Sequence, residues 1–225
     1  STGKEIFMTS VAKSPSKAKL AYLKIKKMLL NSEITTETFV SEEMLSKYLG
    51  LSRTPVREAV KLLLHEGYFR QGPSGGLLVH KASLRECREL YDLRIAMEEY
   101  VMTGISMPLS EKNGKLLQSL LEKQKTAVNT SDTAQFLLLD IKFHTLLFEI
   151  YGNAILSGMY QELRNKFIAV GLVVFNEVYT IGTAYAEHCD IVEALKSGSN
   201  DNAALSIRKH IMHAQQQLFS VGTLR

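Results

Sequence analysis

Hydrophobic positions recur along this chain with two different rhythms, and the change falls near residue 83. In residues 17 to 31, KAKLAYLKIKKMLLN, apolar side chains return at Ala21, Ile25, Met28 and Leu29, a helical period with Lys24, Lys26 and Lys27 on other faces. A second helix is predicted from Ser41, where a serine cap precedes Glu42 and Glu43 in the electropositive first turn and Val40 can staple onto Leu45. It should stop at Gly50 in a left-handed conformation. A third helix follows, capped by Ser52 or Thr54, with Pro55 in its first turn and its end at Gly67. Val56, Ala59, Val60 and Leu63 share one face of it, while Arg53, Arg57 and Lys61 step by four along another. Tyr68 to Gln71 and Leu77 to His80 then read as two short strands around GPSGG.

From Leu84 onward strand periodicity almost vanishes. Caps and stops divide the segment into six helices, near 84 to 106, 110 to 128, 132 to 151, 153 to 176, 180 to 197 and 201 to 219, with NTSD, YGN and KSGSND marking three of the breaks. The fold class expected is therefore mainly α: three helices and a β-hairpin wing, followed by an antiparallel all-helical bundle. The division runs as a segment 1–15 expected to be disordered, a compact unit 16–80, a linker 81–83 and the bundle 84–225. The longest apolar run, FIAVGLVVF at 167 to 175, falls far short of the roughly 20 residues a membrane helix needs, so no membrane partner is expected.

Charge sharpens the division. The net +4 conceals 13 Lys and Arg against 7 Asp and Glu through Ser83, followed by 14 against 16 in the remainder. The excess of positive charge belongs to the first third, which points that part at a polyanion. Two short helices joined by a glycine turn make a helix-turn-helix whose second helix enters the major groove of double-stranded DNA. Arginine there can read guanine O6 and N7 bidentately, and Ser52 and Thr54 at the helix start suit phosphate. Gly75 at the hairpin tip allows the close backbone approach of a wing. The two cysteines, Cys87 and Cys189, are far apart and without a CxxC spacing, so they are expected to be inert thiols in a reducing cytoplasm.

The string SRTPVREAVKLLLHEGY resembles the core motif of the GntR family of bacterial transcription regulators over about 60 residues. The resemblance implies that Arg53, Thr54 and Arg57 contact an operator, with Gly75 at the wing tip; the basic period adds Lys61, and the hydroxyl at the helix start adds Ser52. Some relatives place a further DNA-contacting arginine early in the second helix, where this chain has Glu43, so operator sequence does not transfer from them.

Polar residues on apolar stripes carry the remaining chemistry. Asp140 has Phe136, Leu137, Phe143 and Leu147 at helical neighbour positions, and His144 lies one turn on. His188 shares a stripe with Ala184, Ile191, Val192 and Leu195, and His210 one with Ile207, Ile211 and Ala214. Three inward histidines and an inward aspartate on three helices ask for a common partner, since a buried unpaired polar group costs on the order of 1–3 kcal/mol. Such a nitrogen and oxygen set suits a divalent metal: zinc first, with nickel, cobalt or manganese as alternatives. His213, whose helical neighbours are Lys209, Gln216 and Gln217, is expected to face water. FLLLDIKFHTLLFEIYGNAIL, EHCDIVEAL and AALSIRKHI are similar to the metal-binding pattern of the FCD branch of GntR regulators. That resemblance implies Asp140, His144, His188 and His210 as ligands facing a site for a small organic acid.

Arg94, among Leu90, Tyr91, Met97 and Glu98, is expected to point into the bundle and to anchor the carboxylate of such an effector; a plain Arg94 to Glu98 helix pair is the alternative. The function these readings imply is a DNA-binding regulator, a homodimeric repressor at an inverted-repeat operator, modulated by a small carboxylate at the metal. One alternative is a metal-free regulator with an apolar, acyl-type ligand. Another is a metal-dependent hydrolase, which lacks a visible base beyond Asp140.

Overall fold

The computed structural model describes residues 15–31, 33–35, 38–72, 75–80, 82–177 and 180–222. Helix α1 (Lys17–Leu30) is capped by Ser16, whose hydroxyl accepts from the Lys19 N–H at 3.2 Å. Helix α2 (Glu42–Leu49) starts as its sequence requires, with the Ser41 hydroxyl accepting from the Met44 N–H, and ends at Gly50 with φ of +63°. Helix α3 (Arg53–His65) follows after three residues, Gly50 to Ser52. Of its two candidate caps, Ser52 holds the position but makes no capping hydrogen bond with its side chain. The helix closes as expected, with Glu66 at the C-cap and Gly67 in the left-handed position after it at φ of +80°.

Strands β2 (Phe69–Gln71) and β3 (Leu77–Val79) form the expected hairpin, with Arg70 opposite Leu78. A third strand, β1 (Phe39–Val40), pairs with the other edge of β3, giving the antiparallel order β1-β3-β2. Two residues are too short to show a period, so this strand had no signal in the sequence. The Phe39 ring lies against Gly76 so closely that any Cβ there would collide with it. Part of the glycine enrichment at the hairpin therefore serves strand packing.

Helices α4 (Leu84–Gly104), α5 (Glu111–Asn129), α6 (Thr133–Tyr151), α7 (Ala154–Glu177), α8 (Ile181–Lys196) and α9 (Asn200–Gly222) make up the bundle, with ends within a few residues of those expected. Ser83 opens α4 with a full capping box, its hydroxyl accepting from the Glu86 N–H while the Glu86 carboxylate accepts from the Ser83 N–H. The 81–83 link thus ends in a fixed helix start. Residues 1–14 and Lys81 lie outside the described residues. Helix α4 packs on α6, α7 and α9, α5 on α6 and α8, and α8 on α9. No described helix is long and apolar enough to cross a membrane.

Helix α6 is apolar nearly all round because it is covered on two sides. Phe136, Leu139, Phe143, Leu147 and Phe148 belong to the bundle core. Leu137 and Ile141, with Ala134 and Leu138 beside them, belong to the apolar cluster of the first unit, together with Ile25, Leu29, Val56, Val60 and Leu63. Leu137, which helical spacing had grouped with Asp140, therefore packs with the N-terminal unit.

Candidate metal centre and nucleic-acid interface

Asp140 and His144 stand one turn apart on α6, His188 projects from α8 and His210 from α9, and all four are buried. One ligand atom from each lies within 4.8 Å of all the others, close enough for a single ion to be reached by the four. Asp140 Oδ1 sits 3.4 Å from His188 Nε2 and 3.7 Å from His144 Nε2. Neither of those two Nε2 atoms has a hydrogen-bond partner although both are shielded from solvent. Folded chains seldom leave such atoms unmatched, and a cation at the centre would satisfy them.

The other ring nitrogens explain the aim. His144 Nδ1 lies 2.6 Å from Glu98 Oε2, His188 Nδ1 2.9 Å from Gln124 Oε1 and His210 Nδ1 2.8 Å from Glu187 Oε2. An oxygen beside each Nδ1 suits the tautomer protonated there, which leaves Nε2 as the lone-pair side of each ring. Phe143 stacks on His188 at 4.2 Å between ring centroids and fixes that ring's plane. Spacing arguments had not singled out Gln124 or Glu187, and had seen Glu98 only as a helix pair partner. Gln124 follows Leu117 and Leu121 on the buried face of α5, so the inward-polar test applied to the histidines would have found it.

The electrostatics follow from burial and charge pairing. Burial by itself would raise the Asp140 carboxyl, but His144 and His188 beside it hold it well below the usual carboxylate range. His144 is pushed down by burial and more than restored by Glu98, so its pKa lies above the ordinary value. Burial, then His210 nearby, holds His188 well below. Burial also lowers His210, against the hydrogen bond it makes to the Glu187 carboxylate.

Arg94 lies inside the bundle as expected, and its pair with Glu98 is also real: its Nε donates to Glu98 Oε1 at 2.8 Å. The two readings are compatible because the pair is buried. Glu98 also accepts from the Tyr160 hydroxyl at 3.3 Å, and the guanidinium lies over the Phe167 ring at 5.3 Å. One guanidinium nitrogen, NH2, is buried and has no partner. His213 departs from expectation: it is half-buried, with Nδ1 2.7 Å from the Glu187 oxygen not used by His210. Spacing on α9 does not reveal that α8 brings a carboxylate to it. Cys87 is buried and its thiol pushed up to about 11 by that burial, as an inert thiol should be; Cys189 is half-buried.

The exposed side of α3 carries Ser52, Arg53, Thr54, Arg57 and Lys61, with Gly75 exposed at the hairpin at φ of +78°. Arg53 pairs with Glu43 at 3.0 Å, Arg57 with Glu42 at 3.2 Å and Lys61 with Glu58 at 3.3 Å. All three pairs are solvent-exposed, and such pairs contribute about 0–1 kcal/mol, so a polyanion can displace them cheaply. The acidic start of α2 thus holds Arg53 and Arg57 along the exposed side of α3 without locking them.

The FCD domain family matches residues 89–213, more than half of the chain. This chain belongs to the FCD branch of the GntR transcriptional regulators. It is 24% identical over 198 residues to the HTH-type transcriptional regulator YdhC of Bacillus subtilis (strain 168), covering 88% of each chain. It is 25% identical over 197 residues to the HTH-type transcriptional repressor RspR of Escherichia coli (strain K12), covering 88% of this chain and 86% of that one. The same fold is found in E. coli McbR/YncC, with a TM-score of 0.75 at 19% identity over 92% of this chain and 99% of that one. A GntR regulator from Rhodococcus sp. RHA1 has a TM-score of 0.78 at 18% identity with the same coverage. The FCD-branch chain is accordingly a transcriptional regulator that binds DNA, and it is not an enzyme.

Proposed function

We propose that this regulator is a homodimeric, cytoplasmic repressor that binds an inverted-repeat operator and is modulated by a small carboxylate at a metal held by Asp140, His144, His188 and His210. The observation that carries the metal is the pair of inward Nε2 atoms on His144 and His188, buried and without hydrogen-bond partners. Zinc fits the donor set first, and nickel, cobalt and manganese share its preferences. The metal supplies a Lewis-acidic anchor for the effector. Arg94 NH2 is the second buried donor without a partner, and an incoming carboxylate would accept from it. The repressor assignment is supported by relatives such as RspR and the gluconate operon repressor of B. subtilis, both named as repressors. In this reading residues 16–80 hold the DNA through Ser52, Arg53, Thr54, Arg57, Lys61 and Gly75, 81–83 link, and 84–225 sense and dimerise.

Helix α6 offers the route between the two halves: it carries Asp140 and His144 on one side and Leu137 and Ile141 in the core of the DNA-binding unit on another. A shift of α6 on ligand binding moves the platform on which α3 is mounted, which changes the spacing of two recognition helices in a dimer. Metal content by plasma mass spectrometry, on protein purified without chelators or a metal-affinity step, is expected to give about one transition metal per chain. A metal-free preparation that still binds DNA would overturn the metal role and favour an apolar effector. Ile141→Ala alters none of the four ligands and none of the exposed residues of α3, and is expected to retain metal while weakening the change in operator affinity that metal loading or removal produces. An unaltered response in gel-shift titrations would remove α6 as the route.

A further inference from the structure

The three acceptors behind the histidines differ in kind. Glu98 is already matched by Arg94 and Tyr160, and Glu187 is shared between His210 and His213. Gln124, fully buried on α5, is a neutral amide standing where the other two histidines have carboxylates. Its own Nε2 is buried with no partner, so the side chain gives up one hydrogen bond to keep its oxygen on His188. The opposite amide orientation would present N–H to Nδ1, drive the ring proton to Nε2 and point that N–H at Asp140 Oδ1, 3.4 Å away.

We propose that Gln124 is the positioning residue of the metal centre: it accepts the Nδ1 proton of His188 and so holds that ring in the tautomer whose Nε2 lone pair faces Asp140, His144 and His210. The inference rests on the metal reading for its consequence, but the tautomer exists with or without metal. His188 is the ring in which the choice matters, because Asp140 Oδ1, 3.4 Å from its Nε2, would favour the wrong proton. A carboxylate at 124 would hold the same tautomer more firmly. An apolar side chain of equal length would release the ring to Asp140 and leave Nε2 protonated and unable to ligate.

The test compares the wild-type full-length chain with Gln124→Met and Gln124→Glu. Nitrogen-15 spectra of the histidine rings in the metal-free proteins report the tautomer, and competition between each protein and a chromophoric chelator for Zn2+ reports affinity. The wild type and Gln124→Glu are expected to show His188 protonated at Nδ1. Gln124→Met is expected to move that proton to Nε2 and to weaken Zn2+ binding about 10- to 100-fold, with Gln124→Glu restoring it. Should Gln124→Met fail to fold, the Nδ1 assignment in the wild type and Gln124→Glu still decides: a proton at Nε2 in the wild type overturns the proposal. So does a folded Gln124→Met with Zn2+ affinity within threefold of wild type. A wild type that takes no Zn2+ yet has His188 protonated at Nδ1 would instead sink the metal reading and leave the positioning role standing.

Discussion

Arg94→Ala is expected to destabilise the folded chain by about 3–5 kcal/mol, because it leaves the Glu98 carboxylate in the bundle core without its counter-charge. Thermal unfolding should show it as a fall in Tm of roughly 6–20 °C for a chain of this size. The size of this effect bears on how the effector site is probed, since loss of effector response in Arg94→Ala would report partial unfolding as much as lost binding. Pairing it with Glu98→Gln removes the stranded charge, and the double variant should be more stable than Arg94→Ala alone. A double variant no better than the single would show that the pair is not the source of the cost. The same pair sets an acid limit. Burial would raise the Glu98 carboxyl, but Arg94 and then His144 lower it to about 2. A depressed carboxyl contributes stability that is complete above its unfolded value near 4.5, and that contribution is lost as pH falls through about 2.

Arg57→Ala should abolish measurable operator binding at physiological salt while leaving fold and metal content intact. The side chain is exposed and pairs with Glu42 at the surface, so its removal costs little stability. A bidentate arginine contact to a base is worth about 1–3 kcal/mol, and the proposed dimer on an inverted repeat would lose it twice, for about 2–6 kcal/mol in total. Fluorescence anisotropy with operator and with unrelated DNA separates the possibilities. Loss on the operator alone marks a base contact, whereas equal loss on both, with a shallower dependence on salt, marks a phosphate contact. Unchanged operator affinity would take Arg57 out of the interface.

How much was legible in advance depended on whether a feature is local. The starts of α2 and α4, the stop at Gly50 and the hairpin are set by side chains within a few positions of one another, and the helix boundaries in the bundle follow from the same capping and breaking chemistry. The four candidate ligands were legible because a polar residue on an apolar helical stripe announces its direction without reference to the partner helix. His213 and Leu137 were misread for the same reason: each lies between stripes, where the neighbouring element decides.

By itself, then, the sequence determined the two-part organisation, the basic recognition helix and the inward direction of Asp140, His144, His188 and His210, since each depends on periodicity or on charge along one element. Only the tertiary structure decided that those four side chains meet, that Glu98, Gln124 and Glu187 stand behind the three histidines, and that α6 is shared between the helical bundle and the core of the N-terminal unit. These are contacts between helices far apart in the chain, as with Gln124 and His188, 64 residues apart. Helical period states which way a side chain faces, but the rotation and height of the helix that meets it are set by the packing of the whole core.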